Sequence, residues 1–154
     1  MKALRPTILI LGASSFLTKS LVKKLVGINK FQIICQSRTN LEGLYGNNEA
    51  EIIYLRVNYA NNDYPSEIFK NCSYIINLVN ASSLSHKELI NFRRFLRHVI
   101  VISKADLIHL STASVYGKNM NKIINELSEC NPKNSYQKNK LKDEIEIKKI
   151  AEYF

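Results

Sequence analysis

The sequence predicts an α/β domain built on a doubly wound parallel sheet, and three observations carry that prediction. Short apolar runs, partly β-branched and bounded by polar or glycine-containing turns, alternate with stretches whose apolar residues recur at helical spacing. A chain of 154 residues with 45% hydrophobic content suffices for one core. Finally, nothing reads as an internal repeat, a low-complexity segment or a linker, so a single domain is expected over residues 1–154.

The first run, Thr7 to Leu11, stops at Gly12, as a strand buried on both faces does. Leu17, Leu21, Val22, Leu25 and Val26 then repeat at helical spacing, with Lys19, Lys23 and Lys24 between them and Gly27 as the expected stop. Phe31 to Cys35 reads as the second strand and Glu51 to Val57 as the third, after a loop that holds Gly43 and Gly46. A short helical stretch around Ser66 to Phe69 leads to a fourth strand, Ser73 to Val79. Ser85 to Glu88, "SHKE", has the form of a capping box, and Leu89, Phe92, Leu96 and Val99 continue it as an amphipathic helix. Asp106 to Ser111 is the fifth strand, and a loop through Pro132 opens onto a last helix from about Ser135. Strands alternating with helices pair in parallel through right-handed crossovers.

Charge and cysteine usage narrow the setting. A net charge of +9 concentrates polyanions. The densest basic groups (Lys19, Lys23, Lys24; Arg93, Arg94, Arg97; Lys138, Lys140, Lys142) fall on expected helices and read as solvated faces rather than a nucleic-acid surface. Cys35, Cys72 and Cys130 are odd in number and lack C-x-x-C spacing, which points to a reducing cytoplasm without a zinc site or disulfide frame. Cys35 and Cys72 read as small core residues. Lys2 and Arg5 before an apolar stretch have the outline of a signal peptide, but lysines and helical periodicity follow at once, without a cleavage site. No apolar run has the length of a membrane span.

In such a sheet ligands bind beyond the carboxyl ends of the strands. The first turn there is "LGASSFLT", Leu11 to Thr18. Gly12 supplies the tight turn, while Ser15 and Thr18 occupy the two remaining glycine positions of a G-x-x-G-x-x-G pattern. Ser15 can donate a hydroxyl to a phosphate, whereas the β-branched Thr18 is expected to push the helix away from the sheet. A dinucleotide turn and a plain strand-to-helix turn with serine caps both remain open on these residues alone.

Two downstream stretches, "HLSTASVYG" and "NPKNSYQKNKLKDE", agree in order and spacing with a strand ending in hydroxyls and a Pro-x-x-x-Tyr-x-x-x-Lys helix. Together with the upstream turn they resemble the extended short-chain dehydrogenase/reductase family, the NAD(P)-dependent epimerases and dehydratases of nucleotide sugars. The resemblance runs from Thr7 to Phe154 and implies a Rossmann-like fold.

It also implies a catalytic trio of Thr112, Tyr136 and Lys140. Tyr136 would be the general acid/base, Lys140 would also hold the nicotinamide ribose, and Thr112 would bond the reacting oxygen. The residue types make chemical sense. One helical turn places Tyr136 and Lys140 on one side, and an ammonium nearby favours the phenolate. Ser114 and Tyr116 are expected to shape the loop rather than react.

Cofactor contacts are implied at Gly12, Ser15, Phe16, Leu17, Asn58, Val79, Asn80, Ala81, Tyr136 and Lys140. The second strand usually ends in an acidic residue that holds the adenosine ribose. Here it reads "CQSR", with no carboxylate. Arg38 can pair with a 2′-phosphate, which favours NADP over NAD, and it can equally be an ordinary surface arginine. Asn58 stands where the family has an adenine-contacting aspartate.

The family's chains are about twice as long, adding further strands and a substrate domain. The implied protein is therefore an epimerase, dehydratase or reductase of a nucleotide sugar in surface-polysaccharide synthesis, truncated before the substrate domain. It is either a fragment, a chain completed by another chain or by self-association, or a stand-alone module. An inactive NAD(P)-binding or nucleic-acid-binding fold is the alternative function.

Overall fold

The computed structural model describes residues 5–41, 43–45, 52–60, 64–117 and 123–151. Lys2, Gly46, Glu51 and Phe154, on which parts of the sequence reading fall, lie outside the described residues. Five parallel strands form one sheet: β1 (Thr7–Leu11), β2 (Gln32–Ser37), β3 (Ile52–Arg56), β4 (Cys72–Asn77) and β5 (Asp106–His109). Their order across the sheet is β3-β2-β1-β4-β5, so the chain winds outward from β1 in both directions. The helices are α1 (Phe16–Ile28), α2 (His86–Ser103) and α3 (Ser135–Ala151).

The central strand explains its own position: all five residues of β1 are buried, which only a strand flanked and covered on every side can satisfy. On one face Leu9, Leu11, Ile34 and Ile75 meet Phe92, Phe95, Leu96 and Val99 of α2, with Ile147 and Ile150 of α3 alongside. On the other, Ile8, Ile10, Ile33 and Cys35 meet Val22 of α1 and Leu41. Helices therefore cover both faces. Cys35 and Cys72 are core residues, and burial pushes their thiols up to about 12 and about 11.

Several boundaries differ from the expectation, each for a local reason. β2 runs past Cys35 because Gln36 and Ser37, though polar, are buried and stay in register with Leu55 and Arg56 of β3. β4 and β5 stop earlier, at Asn77 and His109, where their mutual pairing ends. The short helical stretch expected at Ser66–Phe69 is present as a 3-10 helix. Gly27 does not end α1. It lies within the helix, and Asn29 at φ +53° takes the left-handed cap instead.

At the start of α2 the capping box forms as read, Ser85 Oγ accepting from the Glu88 N–H and Glu88 Oε2 from the Ser85 N–H at 2.9 Å. β5 is an edge strand, and Ile108 on it is 57% exposed. No described helix is long and apolar enough to cross a membrane.

Candidate functional site

The carboxyl ends of β1, β2 and β4 form a groove of about 150 Å³ lined by Gly12, Gln36 and Asn80 among others. Gly12 is needed there twice over. Its φ is +79°, and a Cβ would lie 3.0 Å from the backbone of Leu78 and Val79 where β4 ends. The Gly12 N–H points at Gln36 Oε1 at 3.4 Å, and the Ala13 N–H donates to the Gln36 carbonyl at 2.8 Å, tying the turn to β2.

The two glycine replacements bond to each other. Ser15 Oγ and Thr18 Oγ1 are 2.7 Å apart, and Thr18 Oγ1 reaches the Gly12 carbonyl at 3.4 Å. Thr18 is fully buried, so the expected displacement of the helix by its branched side chain is answered by a packed site with a satisfied hydroxyl. Ser15 lines the groove. Phe16 and Leu17 stand exposed on the first turn of α1, beside the groove rather than in its wall.

Gln36 and Tyr59 are site residues that the sequence reading missed. Gln36 is fully buried, and its Oε1 accepts from the Tyr59 hydroxyl at 2.8 Å while its Nε2 lies 3.5 Å from the Val57 carbonyl. Burial holds the Tyr59 phenol well above its ordinary range, so it is a donor throughout. Gln36 directly follows the apolar run Phe31 to Cys35 and precedes Ser37 and Arg38, so the pattern gave no sign of its burial.

Asn58, beyond β3, spends its Oδ1 on the Ala60 N–H at 2.9 Å, outside the groove wall. Arg38 does line the groove, with its guanidinium on Glu88 Oε1 at 3.2 Å.

Val79, Asn80 and Ala81 continue from β4. Val79 and Asn80 belong to the groove, while Ala81 belongs to a second cleft of about 490 Å³ between α2 and α3. That cleft holds Tyr136, 44% exposed on the first turn of α3, with Leu89, Arg93 and Asp143. Arg93 pairs with Asp143 at 2.8 Å and so fixes α3 against α2.

Lys140 is buried one turn on from Tyr136, and its charge is felt at His109. Thr112 lies elsewhere, in a cavity of about 510 Å³ with His109, Ser111 and Glu144. Its Oγ1 accepts from the Ser114 N–H at 3.3 Å and sits 3.0 Å from Ser114 Oγ, while the Ser111 hydroxyl donates to the Glu144 carboxylate. The chain thus brings Tyr136 into one cleft with Ala81, while Thr112 and Tyr136 line different cavities.

Ser114 and Tyr116 lie in the 3-10 turn Ala113–Tyr116, which ends at Gly117. An added Cβ on Gly117 would lie 2.4 Å from the Asn131 carbonyl oxygen, so the turn packs tightly on the strand-to-helix loop. Among the described residues no His, Cys, Asp and Glu group could hold a metal ion.

The sequence profile of the NAD dependent epimerase/dehydratase family matches residues 8–154. Comparison with curated protein sequences gives no match. Among solved structures the fold is shared with UDP-glucuronic acid 4-epimerase from Bacillus cereus in complex with NAD, at TM-score 0.76 and 20% identity over 96% of this chain and 53% of that one. It is shared with dTDP-glucose 4,6-dehydratase from Bacillus anthracis in complex with NAD, at 0.72 and 16% over 97% and 51%. A third is UDP-N-acetylglucosamine 4-epimerase from Methanobrevibacter ruminantium in complex with UDP-N-acetylmuramic acid, at 0.71 and 18% over 96% and 51%. The chain spans about half the length of these structures.

Proposed function

The chain belongs to the NAD-dependent epimerase/dehydratase family, and we propose that it holds a nicotinamide dinucleotide across the ends of β1, β2 and β4 for epimerisation, dehydration or reduction of a nucleotide sugar. The observation that carries this reading is the continuous segment Val79, Asn80 and Ala81 after β4, whose first two residues line the groove under Gly12 and whose third lines the cleft of Tyr136. A ligand with a phosphate-bridged centre and two ends suits two clefts flanked by one segment.

The residues present fit such a group. The turn at Gly12 leaves no room for a Cβ, Thr18 is absorbed without opening the α1–sheet contact, and Ser15 keeps its side chain in the groove wall. The bound nicotinamide supplies the hydride exchange. The chain supplies proton handling: the Tyr136 hydroxyl gives or takes the proton of a sugar hydroxyl, with Lys140 one helical turn further along α3. Thr112 keeps its Oγ1 on the Ser114 N–H, so its own proton is free to turn from Ser114 Oγ to a substrate oxygen.

The solved relatives are described with NAD, and one with UDP-N-acetylmuramic acid, which supports a nucleotide sugar as substrate. The odd number and wide spacing of the cysteines support a cytoplasmic setting. The exposed β5 edge offers backbone groups with which a further strand can pair.

One observation favours a second reading, dinucleotide binding without turnover: Thr112 and Tyr136 line separate cavities. Titration with NADH and a UDP-hexose turnover assay separate the two readings. Binding with turnover supports the enzyme, binding alone supports the inactive module, and a folded chain that binds no dinucleotide removes both.

A further inference from the structure

We infer that Glu88, on the first turn of α2, sets which dinucleotide the groove takes: by neutralising Arg38 it favours the form without a 2′-phosphate. The inference deepens the dinucleotide reading above and rests on it. Arg38 alone suggests NADP, and the geometry around its guanidinium argues the other way.

Arg38 follows β2 directly and lines the groove together with Ser83. Its two terminal nitrogens are already engaged, NH1 with Glu88 Oε1 at 3.2 Å and NH2 with Ser83 Oγ at 3.5 Å. Glu88 does not depend on Arg38 for its position. Its other oxygen, Oε2, accepts from the Ser85 N–H at 2.9 Å and the Ser85 hydroxyl at 2.7 Å. These bonds from Ser85, and then Arg38, hold the Glu88 carboxyl below its ordinary range, so it carries its charge. The short connection between β4 and α2, residues 78–85, is what brings this helix start to the groove rim.

The consequence for a ligand follows from charge. A 2′-phosphate arriving at Arg38 must share the guanidinium with a fixed carboxylate of its own sign, whereas a 2′-hydroxyl meets a neutral pair. β2 ends without an acidic residue, and Glu88 supplies from another element the negative charge that this end of the groove lacks. Arg56, the nearest other guanidinium, donates its Nε–H to the Arg38 carbonyl at 3.3 Å and stays outside the groove wall.

The test is calorimetric titration of the whole chain with NADH and NADPH, alongside Glu88→Gln and Arg38→Met. Glutamine at this position also serves a capping box, so Glu88→Gln keeps the helix start. Expected are tighter binding of NADH than NADPH by the unaltered chain, and a shift of about tenfold in the affinity ratio toward NADPH in Glu88→Gln, abolished when Arg38→Met is added.

Should Glu88→Gln fail to fold, the unaltered chain decides. The inference expects it to bind NADH more tightly than NADPH, whereas tighter binding of NADPH overturns it. An unshifted ratio in folded Glu88→Gln also overturns it, as does a shift that survives removal of Arg38, which would place the phosphate contact on Arg56. If the unaltered chain binds both nucleotides and the ratio does not move, the inference fails alone. If it binds neither, the dinucleotide reading fails with it.

Discussion

Ser15 and Thr18, which replace two glycines of a dinucleotide turn, face each other with their hydroxyl oxygens 2.7 Å apart. Together they close a small network that ends on the Gly12 carbonyl. Thr18→Val keeps the shape and removes the hydroxyl, and is expected to cost about 1–2 kcal/mol in urea unfolding. Ser15→Gly restores the glycine and is expected to leave dinucleotide affinity no weaker, measured by the same titration that reads the unaltered chain.

Gly12 is a stricter position. Its positive φ and the backbone of Leu78 and Val79 at 3.0 Å from a built Cβ leave a side chain no place. Gly12→Ala is expected to destabilise the fold by about 2 kcal/mol and to reduce NADH binding at least tenfold. A stable variant with unimpaired binding would remove the groove from under this turn.

His109 predicts a pH dependence whose sign the geometry gives. Asn77 Oδ1 accepts from the Val79 N–H at 3.1 Å, so its amide Nδ2 faces His109 Nδ1 at 3.1 Å as donor. Nδ1 is therefore the bare nitrogen, and the proton sits on Nε2, which is buried without a hydrogen-bond partner in the described structure. Burial first, and the Lys140 charge second, hold the imidazole below its ordinary value, against the opposing pull of Asp143 and Glu144. Above the ordinary pKa both states are neutral and the stability is intact. As pH falls below about 6.5 the unfolded chain takes up a proton that the native chain refuses, and stability declines. His109→Gln should flatten the fall in melting temperature between pH 7 and 5; an identical slope in both proteins would contradict the assignment.

Tyr136 is 44% exposed at the first turn of α3 and lines the cleft beyond Ala81. Tyr136→Phe is expected to leave the melting temperature and NADH affinity as they were while lowering UDP-hexose turnover by about 10²–10⁴-fold. Equal turnover in both proteins would take the acid/base role away from this residue.

Much of the fold was legible because hydrophobic pattern and turn chemistry agreed locally. β1 begins and ends where read, since Thr7 and the four apolar residues after it are all buried and Gly12 follows. The capping box at Ser85 and Glu88 is a contact between near neighbours and forms as written. Strand ends were less legible: the apolar runs after Asn77 and His109 outlast the pairing that defines a strand, and an asparagine rather than a glycine took the left-handed cap of α1.

The site divides the same way. Gly12, Ser15, Arg38, Val79 and Asn80 were proposed from their places after strands, and they line one groove. Gln36, Tyr59 and Glu88 have no local signature. Their meaning depends on the ends of β2 and β4, the turn after β3 and the start of α2 arriving at one rim. The separation of Thr112 from Tyr136 was equally hidden, because sequence spacing orders the trio along the chain without saying which cavity each side chain enters.

The most direct measurement is a calorimetric titration of the folded 154-residue chain, checked by circular dichroism, with NADH. Saturable one-to-one binding that Gly12→Ala abolishes is the predicted result, and it would place the dinucleotide over the first turn. A folded chain that releases no heat with NADH or NADPH, and whose melting temperature neither nucleotide raises, would contradict the account.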